Sequence, residues 1–317
     1  MLAQRNAGSV LSRAALHRLL DRGDFQMSAI IDSNAIQAVF AQPLTDGSFE
    51  GPVLDYLRSV GAQRPILLLA FAPKSAGTYF RQAAMHAIGG ELIRMCHAQG
   101  GRDGTLYLPN VLARCLDQTS PATVTHIHMQ ALTGNRKFIE ALGLKPVIMI
   151  RDLADMLASL LDMFEVDPVA RAEGVNCQVP SNFCEMDRAT KLDFMIDVIA
   201  PWYASYFATW KSFVDDAPNA VCVLRYRDFC VNPAESLHKA LTHAGFVTTR
   251  QKCIRSLEEV WRDKENYRFN KGVAGRGRAY FLPEHFRRLR RLLSYYPQLE
   301  RWVPELLSES AELAAVG

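Results

Sequence analysis

Three runs of unbroken apolar character constrain this chain most. They are PILLLAF from Pro65, KPVIMIR from Lys145 and AVCVLRYRDF from Ala220, and each leads into a stretch of helical character. After the first comes GTYFRQAAMHAIG, after the second DLADMLASLLDMF, and after the third NPAESLHKALTHAGF. Between the first two lie an extended-type segment, TVTHIHM, and a helical one, NRKFIEALG, which stops at Gly143. Strands apolar on both faces are those of a parallel sheet covered by helices on both sides. The expected class is therefore α/β, a central parallel sheet flanked by helices. In such sheets a ligand sits beyond the carboxyl ends of the strands.

The domain is expected to begin at RPILLLAFAP. Residues 61–305 form the main domain, 1–60 an accessory region with amphipathic helical patterning, and 306–317 a tail. The chain has 317 residues, with 36 basic against 33 acidic side chains. That balance gives no nucleic-acid footprint. No apolar run reaches the ~18 residues of a membrane span. The Arg-bearing N-terminus lacks the apolar core of a signal peptide, and a surface helix explains it better than a transit peptide. The seven cysteines are scattered, without CxxC or zinc spacing, as expected of reduced thiols in a cytoplasmic protein.

At PKSAGTYF the chain leaves the first strand and opens a helix near Gly77. Free backbone N–H groups and the helix dipole meet there, which favours a phosphate-like anion. Lys74 adds a positive charge and Thr78 a hydroxyl. The lysine precedes the glycine, whereas a Walker loop places it after the last glycine. A kinase reading thus lacks its main motif. The plain alternative is a surface turn.

Other segments add to this loop. PKSAGTYF resembles the PKSGTTW loop of the PAPS-dependent sulfotransferases (PAPS is 3′-phosphoadenosine 5′-phosphosulfate). IRDLADMLASLLDMF resembles that family's RNPxDVxVSxxxF segment, with Arg151 and Ser159 at its spacing. RYRDFCVNPAESLHKALTHAGF, NKGVAGRGRAYF and PWYASYFATW resemble its YEDLxxDP, RKGxxGDWKxxF and WYxHxxxWW segments. The resemblance runs from about residue 65 to 290. It implies a P-loop-like nucleotide-binding fold, PAPS as co-substrate, PAP as product, and no metal. It implies that Lys74, Ser75, Ala76, Gly77 and Thr78 hold the 5′ end, and that Arg151 and Ser159 hold the 3′-phosphate. Tyr79 and Tyr226 then neighbour the adenine, and Asn270, Lys271 and Gly272 complete the cofactor site. Asn270 stands where the family has Arg, RGR where it has DWK, and Tyr79 where it has Trp. Arg268, Arg276 and Arg278 are candidates to replace the missing guanidinium.

The family takes the acceptor's proton with a histidine in a KTHLP segment. VTHIHMQA offers His126 in that register, with His128 as the alternative. Lys74 and Ser159 are the other expected catalytic residues. An HxH pair can also bind metal, but no third ligand is evident. Residues 166–194 have weak periodicity and are expected to be a lid or acceptor-binding insertion, or an ordinary loop. Trp202, Tyr203, Tyr206 and Trp210 line an apolar acceptor pocket or pack the core. HFRRLRRLL reads as a basic solvated helix. The leading expectation is a sulfotransferase acting on a hydroxyl or amine of a small molecule, glycan or lipid. The alternatives are a kinase with a variant loop and a nucleotide-binding protein without turnover.

Overall fold

Every apolar run becomes a strand of one sheet. In a computed structural model, which describes residues 65–96, 104–107, 110–111, 122–173, 177–263 and 275–307, the sheet has five strands. They are β1 (Ile66–Leu69), β2 (Glu91–Leu92), β3 (Thr123–His126), β4 (Val147–Ile150) and β5 (Cys222–Arg225). All pairings are parallel and the order is β2-β3-β1-β4-β5. The chain therefore departs from β1 to one side first and returns to the other side for β4. The carboxyl end of β1 is the topological switch point, where this class of sheet opens a crevice.

Helices cover both faces. They are α1 (Gly77–Ile88), α2 (Thr133–Ala141), α3 (Leu153–Val166), α4 (Pro168–Glu173), α5 (Arg188–Phe194) and α6 (Ala200–Asp216). Beyond β5 come α7 (Tyr226–Val231), α8 (Pro233–His243), α9 (Arg250–Arg262), α10 (Pro283–Ser294) and α11 (Val303–Leu306). Alternate residues of β1 divide the core. Ile66 and Leu68 pack with α3 and α6, while Leu67 and Leu69 pack with α1, α8 and α9. This is the period-2 consequence of a strand buried on both faces. Caps fix several helix starts. Asp152, Asp187, Asn232 and Thr249 each accept from a backbone N–H in the first turn of α3, α5, α8 and α9.

Two expectations are corrected. The run AVCVLRYRDF is strand only as far as Arg225, and Tyr226 starts α7. The ring of Tyr226 is buried under Arg151, which follows the neighbouring strand. The segment 166–194 is no plain loop. It holds α4, a 3-10 turn at Phe183–Glu185 and α5. Phe183 is fully buried between Phe164 and Phe194, so this segment contributes to the core. The accessory region 1–60, the tail beyond 307 and the triad Asn270, Lys271 and Gly272 lie outside the described residues.

Candidate functional site

The loop from Ala70 to Ala76 joins β1 to α1. Its carbonyls are held one after another. Tyr206 Oη donates to the Ala70 carbonyl, and a His128 ring nitrogen, Nδ1, lies 2.7 Å from the Phe71 carbonyl. Ser75 Oγ donates to Ala72 O at 2.7 Å, Tyr203 Oη to Pro73 O at 3.2 Å, and Arg151 Nη1 to Lys74 O at 2.5 Å. Each peptide oxygen from Ala70 to Lys74 thus faces a side-chain donor. Lys74 and Ala76 have left-handed φ values of 63° and 64°. Left-handed residues within a short loop turn successive N–H groups toward one concavity, an anion-binding nest. Helix α1 follows with no side-chain cap, its first helical bond running from Phe80 N to Ala76 O. The N–H groups of Gly77 and Thr78 have no acceptor within the helix, and the helix dipole is positive at this end.

Strand register brings the other groups in. His126 ends β3 opposite Leu69, the last residue of β1. Its ring lies on Gly77: a Cβ at that position would stand 2.4 Å from Cε1 and 2.5 Å from Nε2. His128 meets His126 edge to face, ring centroids 4.9 Å apart. A carbonyl only accepts, so His128 Nδ1 carries the proton in its bond to Phe71 O. Proton gain and loss are then confined to Nε2. Lys74 Nζ reaches across to α3, 3.7 Å from Met163 Sδ. Met163 and the buried Ser159 are four residues apart on α3 and share that face.

Ile150 pairs with Arg225, so the next residues, Arg151 and Tyr226, stand side by side. The Arg151 guanidinium lies 4.0 Å over the Tyr226 ring. Burial pushes the Tyr226 phenol up to about 12, while the Arg151 charge pulls it the other way. Arg151 Nε is buried with no hydrogen-bond partner among the described residues. Asp155, almost fully buried, sits 4.0 Å from Arg151 Nη2. Its two oxygens accept from Gly275 N and Gly277 N, both at 2.7 Å. A cleft of 490 Å³ opens here, lined by Arg151, Asp155, Arg225, Tyr226, Arg278 and Glu305 among others. Tyr79 lies on the other side of α1's first turn. Its hydroxyl donates to Leu257 O at 3.2 Å and its ring stands edge-on to Phe229 and Trp261.

Neither a protein-family model nor a curated protein matches the sequence. Solved structures do match in three dimensions. The mouse sulfotransferase SULT7A1, crystallised with PAP, superimposes with a TM-score of 0.52 at 13% identity, covering 76% of this chain and 89% of that one. A retinol dehydratase in complex with androsterone and inactive cofactor PAP aligns at 16% identity and a TM-score of 0.48, over 77% and 85% of the two chains. The chain has the sulfotransferase fold.

On this sulfotransferase fold, Lys74, Ser75, Ala76, Gly77 and Thr78 come together with His126 and His128 at the β1 switch point. Arg151 joins them through the Lys74 carbonyl, and Tyr226 joins through Arg151. Ser75 points inward, bonding Ala72 O, with Met156 Sδ at 3.7 Å, so its side chain braces the loop. Tyr203, Tyr206 and Trp210 are fully buried core residues. Among the RGR residues, Arg276 pairs with Asp162 at 2.5 Å, while Arg278 lines the cleft. Sequence reasoning passed over Asp155, which pins the 3-10 turn Arg276–Ala279 onto α3, and Trp261, half-exposed beside Tyr79. Nothing in their sequence neighbourhood separates them from ordinary helix residues. No described helix is long and apolar enough to cross a membrane.

Proposed function

We propose that this protein is a sulfotransferase that uses PAPS as donor and sulfates a hydroxyl or amine on a small-molecule, glycan or lipid acceptor. The observation that carries this reading is the β1–α1 loop, with its carbonyls turned to side-chain donors and its left-handed residues leading into an uncapped helix start. The donor set suits the cofactor. A nest followed by a helix N-terminus fits a 5′-phosphosulfate. The buried Arg151, with Nε unpartnered among the described residues, fits a second anionic group. When bound, PAPS supplies an activated sulfuryl group.

The chain's own residues then divide the work. The loop amides and Lys74 hold the 5′ end, and the Lys74 charge counts for more as negative charge builds on the departing oxygen. Arg151 and Ser159 hold the 3′-phosphate, and Asn270, Lys271 and Gly272 are the residues that the family resemblance adds to the cofactor site. Tyr79 and Tyr226 flank the base. A histidine takes the acceptor's proton. His126 is the expectation from register. The bond from Nδ1 to Phe71 O supports His128, because it fixes the ring and presents Nε2 as the accepting atom.

Calorimetry with adenosine 3′,5′-bisphosphate, against ATP with magnesium, tests the reading. Metal-independent binding that prefers the bisphosphate, and that collapses in Arg151→Ala, is the expected result. Preference for ATP with magnesium would leave a kinase. Bisphosphate binding without PAPS consumption across an acceptor panel would leave a binding protein. Once an acceptor is found, alanine at the true base lowers kcat by about 10²–10⁴, and the same change at the other histidine lowers it far less.

A further inference from the structure

Helix α6 contributes more to the site than core volume. Tyr203 and Tyr206 are both fully buried. If packing were all, phenylalanine would serve, since a buried hydroxyl needs a partner. Both hydroxyls bond the anion loop, Tyr203 at Pro73 O and Tyr206 at Ala70 O. Burial raises the Tyr206 phenol well above the usual range, with the Ala72 backbone amide opposing. The same helix grips the segment that leaves β3 beside His128. Trp210 Nε1 donates to Met129 O at 2.9 Å, Ser205 Oγ to Gln130 Oε1 at 2.9 Å, and Ala131 N donates to Thr209 Oγ1 at 3.1 Å. One rigid element therefore ties the loop and the histidine-bearing segment to each other.

We propose that Tyr203 and Tyr206 are positioning residues of the anion loop, and that through them helix α6 sets the loop against the segment carrying His128. The role rests on the sulfotransferase reading for its ligand, while the mechanical part stands on the bonds alone. Neither hydroxyl contacts the ligand. Each holds a peptide plane so that its N–H side faces the concavity.

The test compares adenosine 3′,5′-bisphosphate with adenosine 3′-monophosphate, which lacks the group the loop grips. In the wild type, the bisphosphate binds more tightly by some factor. Tyr206→Phe and Tyr203→Phe are each expected to shrink that factor about tenfold, the cost of roughly one positioned hydrogen bond. Monophosphate affinity stays unchanged. A merely structural role would weaken both nucleotides alike or only lower Tm, and either result overturns the proposal. Hydrogen exchange of the ligand-free variants gives the second readout. Faster exchange confined to residues 70–78, with α3 and β4 unchanged, is expected. Unchanged exchange in residues 70–78 overturns the proposal. Failure of the wild type to bind either nucleotide would sink the sulfotransferase reading, and the exchange experiment would still decide the role of the tyrosines.

Discussion

Gly77 and Ala76 divide between them demands that one residue usually meets. Ala76 takes the left-handed conformation, φ 64°, although its Cβ disfavours it by about 1–2 kcal/mol. The glycine is needed one position later, where the His126 ring occupies the place of a side chain. Gly77→Ala is therefore expected to cost about 1–3 kcal/mol by overpacking. Adding His126→Ala should recover most of that loss, because the clash is with that ring alone. Urea denaturation of the two single variants and the double variant reads the coupling directly. Additive losses would mean that the ring is not what Gly77 accommodates. The loop motif was plain in the sequence. Its glycine was expected among the residues that hold the 5′ end, and only the register of β3 shows that a histidine claims the space where a side chain would stand.

At the level of elements, the 3-10 turn Arg276–Ala279 is held to α3 by an unusually close approach. A Cβ at Gly277 would stand 2.5 Å from Ala154 Cβ and 2.6 Å from its backbone carbon. Asp155 closes the contact with its two 2.7 Å bonds to the turn's amides. Arg276, Asp162 and Tyr280 add a polar cluster, with Tyr280 Oη donating to Asp162 at 2.7 Å. Asp155→Ala leaves the buried Gly277 amide, the more exposed Gly275 amide and the Arg151 charge short of a partner. The expected loss is on the order of 3 kcal/mol, measured as a shift in the urea midpoint. Asp155→Asn, which keeps one acceptor oxygen, should lose about half as much. A change under about 0.5 kcal/mol in Asp155→Ala would show that the turn docks by packing alone. Each partner was visible as a residue, but the contacts span more than a hundred positions of sequence, and no local pattern announces them.

Across the whole molecule, the parallel sheet makes stability sensitive to groups buried at strand positions. Cys222 opens β5, and burial pushes its thiol from an ordinary 9.0 up to about 11, with Lys239 opposing. The folded state thus keeps the thiol protonated where the unfolded chain would release the proton. That contribution is fully present below pH 9 and is lost as pH rises toward 11. The loss should be on the order of 2 kcal/mol. Cys222→Ala should flatten this part of the stability–pH curve, and an unchanged alkaline limb would contradict the assignment. On the same scale, saturating bisphosphate at about 100 times Kd should stabilise the fold by about 2.7 kcal/mol. For a domain of this size, at about 2–4 °C per kcal/mol, that is a rise in Tm of about 5–10 °C.

The sequence by itself determined the class of fold, because strands apolar on both faces have only a helix-covered parallel sheet to occupy. It also pointed to the loop proposed as the anion site, because a strand, a short loop with a lysine and a helix start bring free backbone N–H groups together through geometry that is local to those residues. Tertiary structure decided the rest. The end of β5 passed for strand as far as Phe229, since burial of Tyr226 under Arg151 is a contact between neighbouring strands. Residues 166–194 looked aperiodic, because Phe183 finds its place only when α3 and α5 close around it. The tyrosines of α6 read as core, which they are. Only the folded chain shows their hydroxyls on Ala70 and Pro73, a result of packing α6 beneath the carboxyl end of β1.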